Sequence, residues 1–364
     1  MRTQPSVLLL SGGGQWGAFG AGFLSRLAER GKLPNYFVVT GVSTGGLQAM
    51  FAGSEHPDRW KWLRSAYTID KEKEVVDRNS KLLAVVTGSF AGLKPLRQRI
   101  EKALCSSGTN EKCTAIEALK ETERQILIGY IEARSGNFYY SNIQQIAEQS
   151  DAHNSQQCIT ATALASSAMP VTFQQVRINQ RTYYDGGVRQ SVFANFAERL
   201  AQEALRTKAM SGPAGKPTDM PLYVIRNGPT ALFAEEPGQE ADASPNALTA
   251  AQRAQAIVTN QIEVGSVASL RLQKPRGPLF FISADGWESH PFHTSDGQDT
   301  TCGEIRVKAK GKMFDPDFMG CLMSYGESRA DQAQPWRELV EIDAERTMSL
   351  PAIDPGKLIP ANDN

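Results

Sequence analysis

The feature that most constrains the fold is an order met twice within the first fifty-odd residues: a short apolar run, a glycine-rich turn, then a helical pattern. Ser6 to Leu10 is an apolar run suited to a strand covered on both faces, and it ends abruptly in Ser11-Gly12-Gly13-Gly14. Phe19, Phe23, Leu24, Leu27 and Ala28 then recur at three- and four-residue steps, Arg26 and Arg30 sit in the last turn, and Gly31 and Pro34 stop the helix. Tyr36 to Thr40 reads as the second strand. It runs into Gly41-Val42-Ser43-Thr44-Gly45-Gly46, after which Leu47 to Ala52 resumes a helical pattern up to the Glu55-His56-Pro57 break. This alternation predicts a parallel sheet with right-handed crossovers. It also puts both glycine turns at the carboxyl ends of strands, where open α/β sheets bind ligands.

Further along, Ile126 to Ile131, Thr182 to Tyr184, Leu222 to Ile225 and Leu279 to Ile282 are predicted strands, and Gln190 to Leu205 a helix. Asp315-Pro316 followed by Phe318, Cys321, Leu322 and Tyr325 predicts a late helix with an N-cap, a first-turn proline and one apolar face. Gly228 to Asn246 and Trp287 to Gly303 read as long loops. Lys81 to Arg99 mixes leucine, valine and phenylalanine with cations, as an interfacial lid or a buried helical hairpin would.

Composition narrows the partners. Thirty-nine Lys plus Arg against 39 Asp plus Glu leaves no basic surplus to neutralise a phosphate backbone, so nucleic acid is not the expected partner. No apolar run approaches the roughly 18 residues needed to span a bilayer, and Val7 to Leu10 is too short for a signal-peptide core. A processed leader is compatible with that, so the compartment, cytoplasmic or exported, stays open. Cys105, Cys113, Cys158, Cys302 and Cys321 lack CxxC spacing and share the chain with four histidines, so neither a zinc site nor any other metal is expected. Cys105 and Cys113 flank a short turn and suit a small disulfide loop, while the odd total suits free thiols equally.

The chemistry concentrates at the two glycine turns. Gly41-x-Ser43-x-Gly45 between a strand and a helix has the form of a nucleophile elbow, whose sharp turn lifts the hydroxyl above the sheet. The bland alternative is a tight turn in which Ser43 only caps a helix. Gly12, Gly13 and Gly14 open the first helix, and their N–H groups at its positive end suit an anion. A dinucleotide pyrophosphate would also need an acidic residue at the end of the second strand, where this chain has Thr40; an oxyanion hole needs only the donors beside the nucleophile. For the base, Ser43-Asp285-His293 is a triad in the permitted order, with His290 nearby. The other route is a carboxylate that accepts the serine proton directly, and Asp185-Gly186-Gly187, following a predicted strand, is the foremost of three Asp-Gly pairs.

Together these residues resemble the patatin-like phospholipases, relatives of the cytosolic phospholipase A catalytic domain. Four motifs agree in order and spacing: Gly12-Gly13-Gly14-Gln15-Trp16-Gly17, Gly41-Val42-Ser43-Thr44-Gly45, Ala165-Ser166-Ser167-Ala168-Met169-Pro170 and Asp185-Gly186-Gly187. The resemblance spans about residues 6 to 225. It implies a three-layer α/β sandwich with a mostly parallel central sheet, a Ser43-Asp185 dyad without a histidine base, an oxyanion hole at Gly12, Gly13 and Gly14, and no metal or cofactor. The implied activity is hydrolysis of acyl esters, with phospholipid or another acyl-ester lipid as substrate and contact with a membrane surface. The implied boundaries are a hydrolase domain at 1–332 and an extension at 333–364. One departure stands out: the family often carries Lys or Arg two positions after the third glycine, where this chain has Trp16. Trp16 then lines an acyl channel or packs in the core. The small residues 166–168 are read as helix packing rather than catalysis. An α/β-hydrolase esterase using His293, and a patatin-shaped binding or storage protein, are the alternatives.

Overall fold

A nine-stranded sheet organises the chain, and its strands are the runs where apolar residues are contiguous. In the computed structural model the described residues are 6–79, 89–106, 112–194, 197, 220–233, 247–274, 277–309 and 311–339. The strands are β1 (Ser6–Leu10), β2 (Tyr36–Val42), β3 (Gln125–Glu132), β4 (Phe138–Asn142), β5 (Val176–Ile178), β6 (Arg181–Asp185), β7 (Leu222–Ile225), β8 (Leu279–Ile282) and β9 (Arg337–Glu338). Their order is β9-β8-β7-β1-β2-β3-β6-β5, with β4 also on β3. The five strands from β8 to β3 are parallel, and β9, β4, β6 and β5 join antiparallel. The expected mostly parallel α/β sandwich is therefore the observed fold.

Both faces are covered, as the unbroken apolarity of β1 requires. Leu8 and Leu10 point into one core and Val7 and Leu9 into the other, the two-residue period of a strand. The first core is lined by α1 (Gly17–Glu29), α2 (Thr44–Gly53), α3 (Arg59–Tyr67), α4 (Lys94–Leu104), α5 (Thr114–Glu121), α6 (Ile143–Gln149), α7 (Ala152–Ser166) and the late helices; α8 (Ala247–Gln273) covers the second. The late helices are α9 (Cys302–Lys308) and α10 (Pro316–Ala330), and α10 begins as its sequence predicts, with Asp315 Oδ1 accepting from the Phe318 N–H at 3.0 Å. Among the described residues no helix is long and apolar enough to cross a membrane.

Some expectations change. Trp287 to Gly303 is not a loop throughout: Pro291–His293 pairs with Asp299–Thr301 as a hairpin, and Thr301 caps α9. Local polarity hid this, because the hairpin is exposed and carries no apolar alternation. Residues 190–194 are irregular rather than helical, with Val192 and Phe193 buried against the sheet; most of 195–205 lies outside the described residues. Of the Lys81 to Arg99 segment, 81–88 lies outside them too, and the rest forms a short strand at Ser89–Gly92 and the start of α4. The loop expected from Gly228 is irregular through 233, and 234–246 is outside. Cys105 bonds Cys113, and Cys302 bonds Cys321, a pair the spacing gave no reason to join. Beyond residue 332, Trp336 packs edge-on against Phe23 and Tyr223, and β9 pairs with β8; 340–364 lies outside the described residues.

Candidate active site

Ser43 stands between β2 and α2 with φ 56° and ψ −126°, a backbone state that costs a non-glycine residue about 1–3 kcal/mol and persists only where neighbours hold it. The restraints are visible. The Ser43 N–H donates to Ser166 Oγ at 2.8 Å, and Ser166 in turn donates to the Gly129 carbonyl at 2.6 Å. The Ser43 carbonyl accepts from the Gly46 and Leu47 N–H groups at 2.9 and 3.2 Å. A Cβ at Gly45 would stand 2.2 Å from the Leu10 carbonyl oxygen, so the elbow crosses the end of β1 where only glycine fits.

Asp185 reaches this point through the register of β3. One flank of β3 is occupied by β4, which pairs with residues 127–131. On its other flank Val42 of β2 faces Gly129, and the next position, Tyr130, faces Asp185 of β6. The end of β2 and the end of β6 thus meet head-on, and the residue just past β2 neighbours the last residue of β6 although 142 positions separate Ser43 from Asp185. The Asp185 N–H donates to the Ala168 carbonyl at 3.1 Å, and its Oδ1 accepts from the Gly187 N–H at 2.7 Å. The carboxyl is 1% exposed. Burial pushes it from an ordinary 3.8 up to about 7, against the hydrogen bonds from the Ser43 hydroxyl and the Gly187 N–H, which favour the charged form; Glu263 adds to the rise. Glu263 is itself buried and is paired with Arg226 at 2.9 Å; its burial raises it and Arg226 lowers it.

The glycine loop lies against the nucleophile, since a Cβ at Gly12 would stand 3.4 Å from Ser43 Cβ. The Gly12 N–H is engaged, donating to Ser191 Oγ at 3.1 Å. Gly13, at φ 144°, passes so close to Asn227 that a Cβ would sit 1.9 Å from its carbonyl oxygen. Among the described residues, neither the Gly13 nor the Gly14 N–H has an acceptor. Behind the loop a buried amide network fixes it: Asn227 donates from its backbone to Ser11 Oγ at 2.8 Å and from Nδ2 to the Ser11 carbonyl at 2.8 Å. Gln48 Oε1 also accepts from Asn227 Nδ2 at 2.9 Å, and Gln48 Nε2 donates to the Gly17 carbonyl at 2.7 Å. Ser43 and Gly14 border a cavity of about 850 Å³ whose other walls are chiefly apolar.

The histidine route is not assembled. His293 Nδ1 bonds Asp299 at 2.9 Å in the exposed hairpin, while Asp285 accepts from the Thr230 N–H and hydroxyl and from Ser283. His290 meets Ser324 at 3.1 Å, and neither histidine borders the cavity. Trp16 takes the core alternative: its ring meets Trp287 and Phe318 edge-on at 4.9 and 5.2 Å, and it does not line the cavity. Two contributions escape a reading of the sequence. Ser166 was visible only as a small residue, and nothing in its neighbours says that its hydroxyl faces the elbow. Asn227 and Glu263 carry no local signal at all.

Compared with known families, residues 8–197 match the model of the patatin-like phospholipases, just over half of the chain. The chain belongs to the patatin-like phospholipase family. Membership implies lipid acyl hydrolase activity on a lipid partner. The matched span includes the glycine loop, the elbow, Ser166 and Asp185. Among solved structures, VipD from Legionella pneumophila is 13% identical, covering 88% of this chain and 67% of that one with a TM-score of 0.30. No curated protein sequence matches.

Proposed function

We propose that the protein is a serine lipid acyl hydrolase working through a Ser43-Asp185 dyad, with Gly13 and Gly14 as the oxyanion donors and Gly12 as the hinge that lays the loop against the serine. Ionised Asp185 accepts the Ser43 hydroxyl proton as Oγ bonds to the ester carbonyl carbon. The carbonyl π pair moves onto oxygen, where two N–H donors, each worth about 3 kcal/mol in a dry site, hold the charge. Collapse expels the alcohol oxygen, which takes the proton from Asp185. Water then attacks the acyl-enzyme while Asp185 accepts its proton, and the departing Ser43 Oγ is reprotonated. No step uses a metal or cofactor. The substrate we propose is phospholipid or another acyl-ester lipid met at a membrane or micelle surface.

What supports this reading above all is the head-on meeting of β2 and β6 on one flank of β3, which brings a strained serine to a buried carboxyl poised near neutrality. The test is active-site labelling with a fluorophosphonate together with fatty-acid release from phospholipid and p-nitrophenyl esters. Labelling is expected at Ser43, and Ser43→Ala is expected to abolish labelling and hydrolysis while leaving the melting temperature nearly intact. A Ser43→Ala protein that keeps more than a few per cent of activity would overturn the assignment.

A further inference from the structure

The cavity is longer than an ester site needs. It runs the whole length of α2, from Thr44 and Leu47 beside the nucleophile, past Met50 and Phe51, to Ser54 and His56 beyond the helix end. Both ends of that path are pinned. Thr44 Oγ1 meets the Tyr67 hydroxyl at 2.7 Å, which sets the end of α3 beside the start of α2, and Thr122 Oγ1 donates to the Gly53 carbonyl at 2.8 Å, which ties the segment after α5 to the end of α2. Between them Leu96, Ile100 and Leu104 of α4 supply an apolar wall at four-residue steps. At the far end the character changes. His56 and Trp62 stack with ring centroids 4.4 Å apart, the His56 Nδ1 accepts from the Asp58 N–H at 3.1 Å, and Ser54 and Asp58 also border the space.

We propose that this channel is an acyl-chain ruler: it seats the chain of the scissile ester along α2, and the His56–Trp62 stack sets the far limit. The inference rests on the ester hydrolysis proposed above and names its substrate class, esters of medium to long acyl chains rather than short soluble esters. The length follows from the helix. Ten residues at about 1.5 Å each give a path of roughly 15 Å. A C–C bond of about 1.5 Å advances an extended chain by roughly 1.25 Å per carbon, so about twelve carbons reach the end of α2, where Ser54 precedes the stack. Each methylene moved from water to the apolar wall raises kcat/KM by up to about fourfold, and the gain ends where the wall turns polar.

The experiment is a series of p-nitrophenyl esters from C2 to C16, presented in mixed micelles of constant composition. The wild-type kcat/KM is expected to climb with chain length and level off near C12. Met50→Trp, which narrows the middle of the channel, is expected to lower the C12-to-C4 ratio of kcat/KM at least tenfold. Trp62→Ala, a change at a partly exposed position, is expected to move the levelling point up by two carbons or more, and it carries the test alone if Met50→Trp does not fold. A flat wild-type profile, a folded Met50→Trp with an unchanged ratio, or a Trp62→Ala with an unmoved levelling point overturns the ruler. A wild type that hydrolyses no ester of any length and is not labelled at Ser43 refutes the hydrolase reading instead.

Discussion

Asp185→Asn separates the catalytic role proposed for Asp185 from a merely structural one, because it is expected to inactivate the protein and stabilise it at the same time. A carboxyl held at about 7 in the folded chain and at 3.8 when unfolded binds more protons in the native state between those values. Native stability therefore falls as pH rises through that window, and the loss is complete above pH 7. The difference corresponds to about 4 kcal/mol at 1.36 kcal/mol per pH unit, an order-of-magnitude figure. Asparagine is isosteric, keeps an oxygen to accept from the Gly187 N–H, and carries no charge to bury. Wild type and variant should thus have similar stability near pH 4, diverge through pH 5 and 6, and differ by a constant amount above pH 8. At about 2.1 cal/mol/K per residue over the 364 residues, the gain in Tm is roughly 5 °C. Thermal unfolding across pH 4 to 9 measures it, alongside turnover, which should fall by on the order of a thousandfold. In the wild type, kcat/KM should rise about tenfold per pH unit below 7 and level above it. A Tm difference independent of pH, or a variant less stable than wild type at pH 8, would refute the reasoning that burial of this carboxyl sets its proton affinity.

Ser166→Ala leaves the Ser43 N–H and the Gly129 carbonyl without their shared partner, so it should cost about 1–3 kcal/mol of stability and lower kcat by roughly ten- to a hundredfold with KM little changed; steady-state kinetics and thermal melts check both. His293→Ala and His290→Ala should each cost less than tenfold in kcat/KM, because both rings are bonded away from the cavity; a larger loss would revive the triad. Hydrolysis of a monomeric ester should be unchanged by EDTA, since in the proposed mechanism two backbone N–H groups supply the field a calcium ion would otherwise provide; activity lost on chelation and restored by calcium alone would show that the proposed oxyanion hole is insufficient.

Local signals sufficed wherever the physics is local. The β1 run, the glycine loop, the elbow turn and the Asp315 cap each rest on the backbone preferences or apolarity of a few adjacent residues, and the order of strands and glycine turns followed from them. The strand before it made Asp185 only the foremost of three Asp-Gly pairs, over Asp285 and Asp296, and the family resemblance gave it a role. Partners set by register or by side-chain direction were illegible. That β2 and β6 share one flank of β3 depends on where β4 pairs, and no composition encodes it. The Ser166 hydroxyl, the amide network of Asn227 and Gln48 and the Arg226–Glu263 pair are polar groups whose partners lie far along the chain, the Ser166 contact spanning 123 positions and the Gln48–Asn227 contact 179. The sequence by itself determined which segments turn, extend or coil, because those are energies of neighbouring residues. How the strands bring Ser43 and Asp185 to one flank of β3, and that the Asp185 carboxyl is buried enough to hold its proton near neutrality, only the tertiary structure decided, because burial and register belong to the assembled sheet.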